Sequence, residues 1–307
     1  MSSQIPVTEP DLLLQPGVAA GTKQRGELHQ LMIEAWRVGR TKVGIAICAF
    51  IVAVAVFGPL VAPYSPTEFV GKPLAAPAPE YLLGTDYIGR DVLSRVLYGG
   101  ITVIGLALAA TVIGLLLGVG LGLIAGYSRR VWDETIMRLL DVVLAFPAIV
   151  LALLFVSILG AHLWLIVLMV GISHAPRIAR VTRASALEIS QRDFVHAAEA
   201  LGVPRRNILF REILPNITSP LLVEFGLRLT YSIAIIAGLS FLGFGLQPPA
   251  ADWGLMINEN RIGVMVQPYA VLVPVLLIGI LTIGTNMVAD GVGRALIGIE
   301  RGTGGDQ

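Results

Sequence analysis

The chain has 307 residues, of which 55% are hydrophobic and only 14% are charged, and its mean hydropathy is +0.78. Soluble domains carry about 25% charged residues, so this composition excludes an ordinary soluble domain and indicates a membrane protein. The net charge of +1 gives no support for binding to nucleic acid. A single cysteine, Cys48, excludes an intramolecular disulfide bond.

Residues 1–42 form a polar tail in which no apolar core follows a basic start, so we do not expect an ordinary cleaved signal peptide. Within it, residues 27–40 can form a short amphipathic helix on the membrane. The uncharged run 43–61 is about one bilayer long and predicts the first transmembrane helix, over residues 43–63. Residues 64–98 follow as a long polar loop.

The second span is predicted over residues 101–127, which carry no charge. Glycines recur in it at every fourth position and therefore share one helix face: Gly114, Gly118, Gly122 and Gly126. Such a face lets another helix approach closely. The sequence leaves open whether that helix belongs to this chain or to another subunit.

A third span is predicted over residues 139–159, with a kink at Pro147. Asp141 at its start either helps a gate to move or, as we expect, pairs with a neighbour such as Arg138. The fourth span starts near Leu163, and its helix continues beyond the membrane because basic residues share a face at three-residue spacing. These are Arg177, Arg180 and Arg183.

The longest well-charged interior segment, 193–216, reads as two short helices. Asp193 is expected to cap the first helix, and Gly202 is expected to end it in the left-handed region, with Pro204 two residues later. The second helix mixes arginines with apolar residues. That mix predicts a helix at the membrane surface, with its apolar side in lipid and its arginines toward headgroups.

The fifth and sixth spans are predicted over residues 219–245 and 269–288. Glu224 and Arg228 lie four residues apart in the fifth span and are expected to pair near its inner end, where both groups can reach water or headgroups. Six spans place both termini on one side. Most of the 22 Lys and Arg residues fall on that side, so both termini are expected in the cytoplasm.

Four stretches resemble one known family. They are Gly84 to Asp86 with Gly89 to Arg95, Asp141 with Leu144 to Pro147, residues 196–216, and residues 239–254. Together they resemble the ABC transporter permeases of the dipeptide, oligopeptide and nickel family, in the second-permease or C-type subunit. The resemblance implies an all-α membrane protein with six transmembrane helices and the type I ABC importer permease (MetI-like) fold. Residues 99–293 would form the five-helix core, with a coupling loop at 184–217 and a cytoplasmic tail at 294–307.

The resemblance also implies roles for particular residues. A cytoplasmic coupling helix that docks into an ATPase would comprise His196, Ala197, Ala198, Glu199, Leu201 and Gly202. His196 stands where the family has a glutamate, and Glu199 stands where a basic residue is common. The extracytoplasmic signature, either a contact for a binding protein or a self-bracing loop, comprises Gly84, Thr85, Asp86, Gly89, Arg90 and Asp91. Phe241, Leu242 and Phe244 are a possible gate, unless they only pack.

The family further implies a second homologous permease, two ATP-binding subunits, an extracytoplasmic substrate-binding protein and a bacterial or archaeal plasma membrane. No GxxxxGK[ST] motif occurs in the chain, so we expect ATP to bind to the partners, and we expect neither an enzyme nor a cofactor here. The four histidines show no metal-ligand spacing. The favoured cargo is a di- or oligopeptide. Nickel or another small solute is the alternative, and an ion-coupled secondary transporter is a third hypothesis.

Overall fold

The computed structural model describes residue 36 and residues 39–128 and 130–303, without the side chains of residues 130 and 297–303. The helix predicted over 27–40 and the ends of both predicted tails therefore lie mostly outside the described residues. The longer helices are α1 (Gly39–Val61), α2 (Val92–Tyr127), α3 (Arg130–Leu144), α4 (Ala148–Leu159), α5 (Leu163–Ser190), α6 (Asp193–Ala200), α9 (Thr218–Phe241), α10 (Trp253–Asn260) and α11 (Tyr269–Thr303). Between α6 and α9 lie α7 (Arg205–Asn207), a π-helix (Ile208–Ile213) and α8 (Leu214–Asn216), and a 3₁₀ turn (Arg261–Gly263) follows α10.

Within the described residues, five helices are long and apolar enough to cross a membrane: α1, α2, α5, α9 and α11. A sixth crossing is formed if α3 and α4 count as one span, bent by 80°. Successive crossings alternate in direction. We call the end of the bundle that carries residues 62–91 the loop end, and the opposite end the α6 end.

The third predicted span is thus a broken crossing, and the expectation of one kinked helix is wrong. The last bond of α3 runs from the Ala145 amide to the Asp141 carbonyl, and α4 restarts when the Leu151 amide donates to the Pro147 carbonyl. Pro147 has no amide hydrogen to continue the ladder, and it lies outside both helices with a ψ of 134°. The chain therefore turns sharply between the two segments.

Several span boundaries also differ from the prediction. Helix α2 begins at Val92, because the Asp91 carboxylate accepts hydrogen bonds of 2.7 Å from both the amide and the hydroxyl of Ser94. The predicted loop 64–98 therefore ends at Asp91. Helix α9 ends at Phe241, and α11 runs to Thr303, through the boundary expected at residue 294.

The glycine face of α2 packs against α5 of the same chain, which settles the alternative left open above. A Cβ atom on these glycines would lie 2.6–2.9 Å from carbonyl oxygens of α5, pairing Gly114 with Gly171, Gly118 with Ala175, Gly122 with Ala179 and Gly126 with Arg183. The numbers rise together, so the two helices run in the same direction. Any side chain here would force the backbones apart.

Polar groups tie a third helix to this pair. The Thr111 hydroxyl of α2 donates to the Ser232 hydroxyl of α9 over 2.9 Å, and His174 Nε2 of α5 lies 3.0 Å from the same Ser232 oxygen. All three side chains are buried. Satisfied polar groups in a dry core fix the mutual register of helices, because an unpaired group there is costly.

Candidate functional site

Helix α6 is the predicted coupling helix, and its start differs from the prediction. Arg192 is the residue before the helix, with an extended backbone and no side-chain cap, and Asp193 is the first helical residue. The expectation that Asp193 caps the helix is therefore wrong. In the first turn its carboxylate still lies close to the positive end of the helix dipole, which is a favourable position for a negative charge.

The end of α6 is as predicted. Gly202 has a φ of +73°, in the left-handed region. The Val203 amide donates to the Ala198 carbonyl and the Gly202 amide to the Glu199 carbonyl, each over 3.0 Å. This bond pair is the Schellman motif, which satisfies the free carbonyls at a helix end. Helix α6 is thus eight residues long and ends at a capped C-terminus.

Most of α6 projects away from the bundle. Val195 is its only fully buried residue. The apolar side chains of Phe194 and Leu201 are 43% and 80% exposed. Large exposed apolar side chains outside the apolar spans are candidates for a surface that another protein covers.

Residues 205–216 follow α6, and we call them the buried mount after two buried isoleucines, for which the prediction of an apolar side in lipid is wrong. Ile208 and Ile213 are 1% and 0% exposed and pack with Leu123 of α2, Ala186 of α5 and Val195 of α6. These neighbours belong to α2, α5 and α6, so protein rather than lipid covers the two isoleucines. Phe210 alone of the central segment stays exposed among its large apolar residues.

Two residues that depart from the family pattern contact each other and the end of α2. The Tyr127 hydroxyl donates to Glu199 Oε1 over 2.5 Å, and His196 Nδ1 lies 3.7 Å from Glu199 Oε2. The hydrogen bond from Tyr127, followed by the contact with His196, lowers the pKa of Glu199 below its ordinary value. This contact joins α6 to a helix that reaches the loop end.

The arginine row of α5 binds α3. Arg183 forms a bidentate pair with Asp133, and Arg180 Nη2 lies 2.5 Å from Asp141 Oδ1. The expected pairing of Asp141 with Arg138 is therefore wrong, since the α5 guanidinium packs directly against α3. The predicted pair Glu224 and Arg228 is present at 3.0 Å, but the side chains are only 13% and 8% exposed, so neither reaches water freely.

The extracytoplasmic signature folds inward. Gly84 and Gly89 have φ values of +75° and +96°, and Thr85, Asp86, Arg90 and Asp91 are at most 2% exposed. The Arg90 guanidinium donates to Asp86 over 2.6 Å and to Glu259 of α10 over 3.0 Å, and Arg95 donates to Glu259 over 2.7 Å. These geometries favour the self-bracing interpretation over a contact surface made by the same side chains.

Glu259 was missed by the sequence reasoning, although it holds both arginines. A charge imbalance in the signature could have revealed it. Arg90 and Arg95 lie together with one free carboxylate, that of Asp86, because the Asp91 carboxylate caps α2. A further acid was needed to balance them. The possible gate is only partly buried at the end of α9, where Phe241 and Leu242 are exposed and Phe244 is half-buried.

Comparison with known proteins identifies the family. The family model described as "binding-protein-dependent transport system inner membrane component" matches residues 118–297. The chain belongs to this family. It is therefore a multi-pass membrane component of a transport system that has ATPase and further permease subunits, as the motifs of the peptide-type, second-permease group predicted.

Individual relatives agree with this membership. The chain is 35% identical to the glutathione transport system permease protein GsiD of Pectobacterium atrosepticum, over 86% of this chain and 89% of the relative. It is 36% identical to the dipeptide transport system permease protein DppC of Alkalihalophilus pseudofirmus, over 83% and 84%. A solved structure of the MetNI methionine ABC transporter in an inward-facing conformation matches with a TM-score of 0.50 and 17% identity, over 64% of this chain and 96% of that chain. This last likeness confirms the predicted MetI-like fold.

Proposed function

We propose that this chain is the permease subunit of an ATP-driven importer of di- and oligopeptides. The observation that carries the proposal is the similarity of more than four fifths of the chain to permeases named for glutathione and dipeptide transport. With a second homologous permease, it forms the translocation path. The chain itself catalyses no reaction and holds no cofactor.

In this proposal, α6 is the coupling helix, and the α6 end and both termini lie in the cytoplasm. One of the two ATP-binding subunits covers the exposed surface of Phe194, Leu201 and Gly202. Closure of the ATPase pair displaces α6, and the buried mount passes the displacement to α2 and α5. The support is geometric, since α6 is exposed on one side and anchored through Val195 on the other.

The loop end faces an extracytoplasmic binding protein. We propose that the buried ion cluster around Glu259 fixes the shape of this end, so that residues 62–91 and α10 move as one body. Contact with the binding protein then falls on exposed groups of the same segments, among them Phe69, Leu82 and Tyr87. The signature residues act by holding this surface in place.

The test is uptake by the whole complex reconstituted in lipid vesicles with its binding protein. We expect ATP-dependent uptake of radiolabelled dialanine, trialanine or glutathione, and none of Ni²⁺. Uptake that persists without the ATPase subunits would contradict the proposal and favour a secondary transporter. Uptake of Ni²⁺ in place of peptides would retain the assembly but change the cargo.

A further inference from the structure

A pocket of about 310 Å³ lies at the break between α3 and α4. Its wall combines the chain turn with one face of α5 and one of α9: residues 143–148, Ser173, His174, Arg177, Tyr231 and Ile235. None of these lining residues is acidic. The pocket therefore combines an apolar floor with hydrogen-bond donors and one permanent positive charge.

Arg177 is the member of the α5 arginine row that is not neutralised. Its neighbours along the row, Arg180 and Arg183, are paired with Asp141 and Asp133 of α3. Both of these carboxylates belong to α3, which ends before the level of Arg177. No acidic side chain of the described residues pairs with Arg177. Its side chain is exposed and reaches the pocket at the break.

The contacts between α5 and α2 fix the level of Arg177 along the bundle. It lies between Ala175 and Ala179, which pack on Gly118 and Gly122 of α2. At 1.5 Å per residue, this level is about 10 Å nearer the loop end than Tyr127 at the terminus of α2. Arg177 therefore lies nearer the loop end than the two paired arginines of the row, with its exposed side chain at the wall of the pocket.

The start of α4 adds positive potential at the pocket. Ala148 begins α4, and Pro147 before it supplies no side-chain cap, so the free first-turn amides and the positive dipole end lie at the break. Arg228 is paired with Glu224, but its guanidinium carbon lies 5.3 Å from the centre of the Tyr231 ring and its Nη1 atom is buried without a hydrogen-bond partner. Interrupted helices in transporters bind anionic substrate groups with the same arrangement.

We propose that this pocket binds the C-terminal carboxylate of a peptide as it passes through the translocation path, with Arg177 as the principal donor. The inference rests on the proposed function and names the part of the substrate that this chain recognises. A volume of about 310 Å³ is at the lower limit of ligand sites, which suits one terminal residue rather than a whole peptide. A phospholipid phosphate has similar chemistry, and the lipid composition of the vesicles in the test distinguishes it from a peptide carboxylate.

The test compares trialanine with trialanine amide, which lacks the terminal charge. Uptake of each is measured in vesicles containing the full complex, with saturating binding protein, for the original chain, Arg177→Gln and Arg177→Lys. For each of the three chains, the uptake of trialanine is divided by the uptake of trialanine amide. Any preference of the binding protein for one peptide is the same in all three chains and cancels when these quotients are compared. We expect Arg177→Gln to reduce trialanine uptake about tenfold or more, as loss of a charge-assisted bond does, with little change for the amide and a smaller effect of Arg177→Lys.

Arg138→Gln is the matched control, since Arg138 is an exposed arginine of α3 that does not line the pocket. Stimulation of ATP hydrolysis by loaded binding protein verifies assembly of each variant. Equal losses for acid and amide, or no loss for either, would overturn the inference while leaving peptide import intact. A loss that appears only in vesicles of equal phosphatidylcholine and phosphatidylglycerol, and not in phosphatidylcholine alone, would assign the pocket to the headgroup of an anionic phospholipid instead. Absence of any peptide uptake by the original complex would refute the proposed function itself.

Discussion

Replacing Glu259 by glutamine tests whether the extracytoplasmic signature is an internal brace. The carboxylate of Glu259 accepts from Arg90 over 3.0 Å and from Arg95 over 2.7 Å, and Asp86 accepts from Arg90 over 2.6 Å. The four side chains are at most 5% exposed, and their charges sum to zero. Glu259→Gln keeps the shape but leaves two guanidinium groups with one carboxylate in a dry site.

The expected cost is about 3–5 kcal/mol in the free energy of unfolding, the usual result of leaving a buried charge without its partner. The lower half of this range is favoured, because the glutamine oxygen still accepts one hydrogen bond, whose net worth is about 1 kcal/mol. Titration of the detergent-solubilised chain with dodecyl sulfate measures this free energy. Adding Arg90→Met to Glu259→Gln restores neutrality and is expected to recover about half of the loss.

Glu68→Gln is the control, since Glu68 belongs to the same loop end but is exposed and bonds only to the Ser65 amide over 3.4 Å. We expect it to change the unfolding free energy by less than about 0.5 kcal/mol. The reasoning is refuted if Glu259→Gln costs less than about 1 kcal/mol, since water would then reach the cluster. Normal stability combined with lost stimulation by the binding protein would instead identify these charges as the contact surface.

Three further outcomes are expected. Gly122→Ala places a methyl group 2.6 Å from a backbone carbonyl of α5 and should cost about 1–3 kcal/mol in the same titration, whereas Gly120→Ala, with no atom within 4 Å, should cost less than about 0.5 kcal/mol. Gly202→Asp should insert normally, because the space around it is open and Asp and Asn tolerate a φ of +73° better than most residues, but it should abolish uptake by charging the docking surface. Gly202→Asn, of the same shape and with the same backbone strain, should retain most uptake. Tyr127→Phe should raise the pKa of Glu199 toward its ordinary value, and ¹³C NMR titration of the Glu199 carboxyl would measure this change. Because the pKa of Glu199 is lowered in the folded protein, the stabilisation from its ionised form is complete above the ordinary pKa and is lost as pH falls through the folded pKa. In the variant, protonation of Glu199 should therefore begin at a higher pH.

Much of the fold could be predicted from patterns of residues that are close together in the sequence. The glycines of α2 predicted a close helix contact, and Gly202 with Pro204 predicted the left-handed end of α6. Both features depend on residues that are near one another in the sequence. Contacts between distant residues were not readable in the same way. Glu259 lies 169 residues from Arg90, and no periodicity links them.

The broken third crossing shows the same limit. Pro147 predicts an interruption of the helix, but the 80° angle depends on what holds the two halves. Arg180 and Arg183 hold α3 against α5, while α4 packs on the apolar start of α5. The angle between α3 and α4 is therefore set by α5. The pocket beside Arg177 lies between the part of α5 that binds α3 and the part on which α4 packs.

This arrangement decides where the molecule can move. Helices α2 and α5 touch backbone to backbone along four glycines, so they cannot slide or separate without loss of that contact. A displacement of α6 reaches them through the buried isoleucines and the Tyr127–Glu199 hydrogen bond, and they must respond as one rigid body. The break at Pro147 has no such packing across it, and hinges form at points that absorb dihedral changes. We therefore expect relative motion of the bundle to concentrate at the break, which is also where the pocket lies, so a movement of α6 would reshape the proposed carboxylate site.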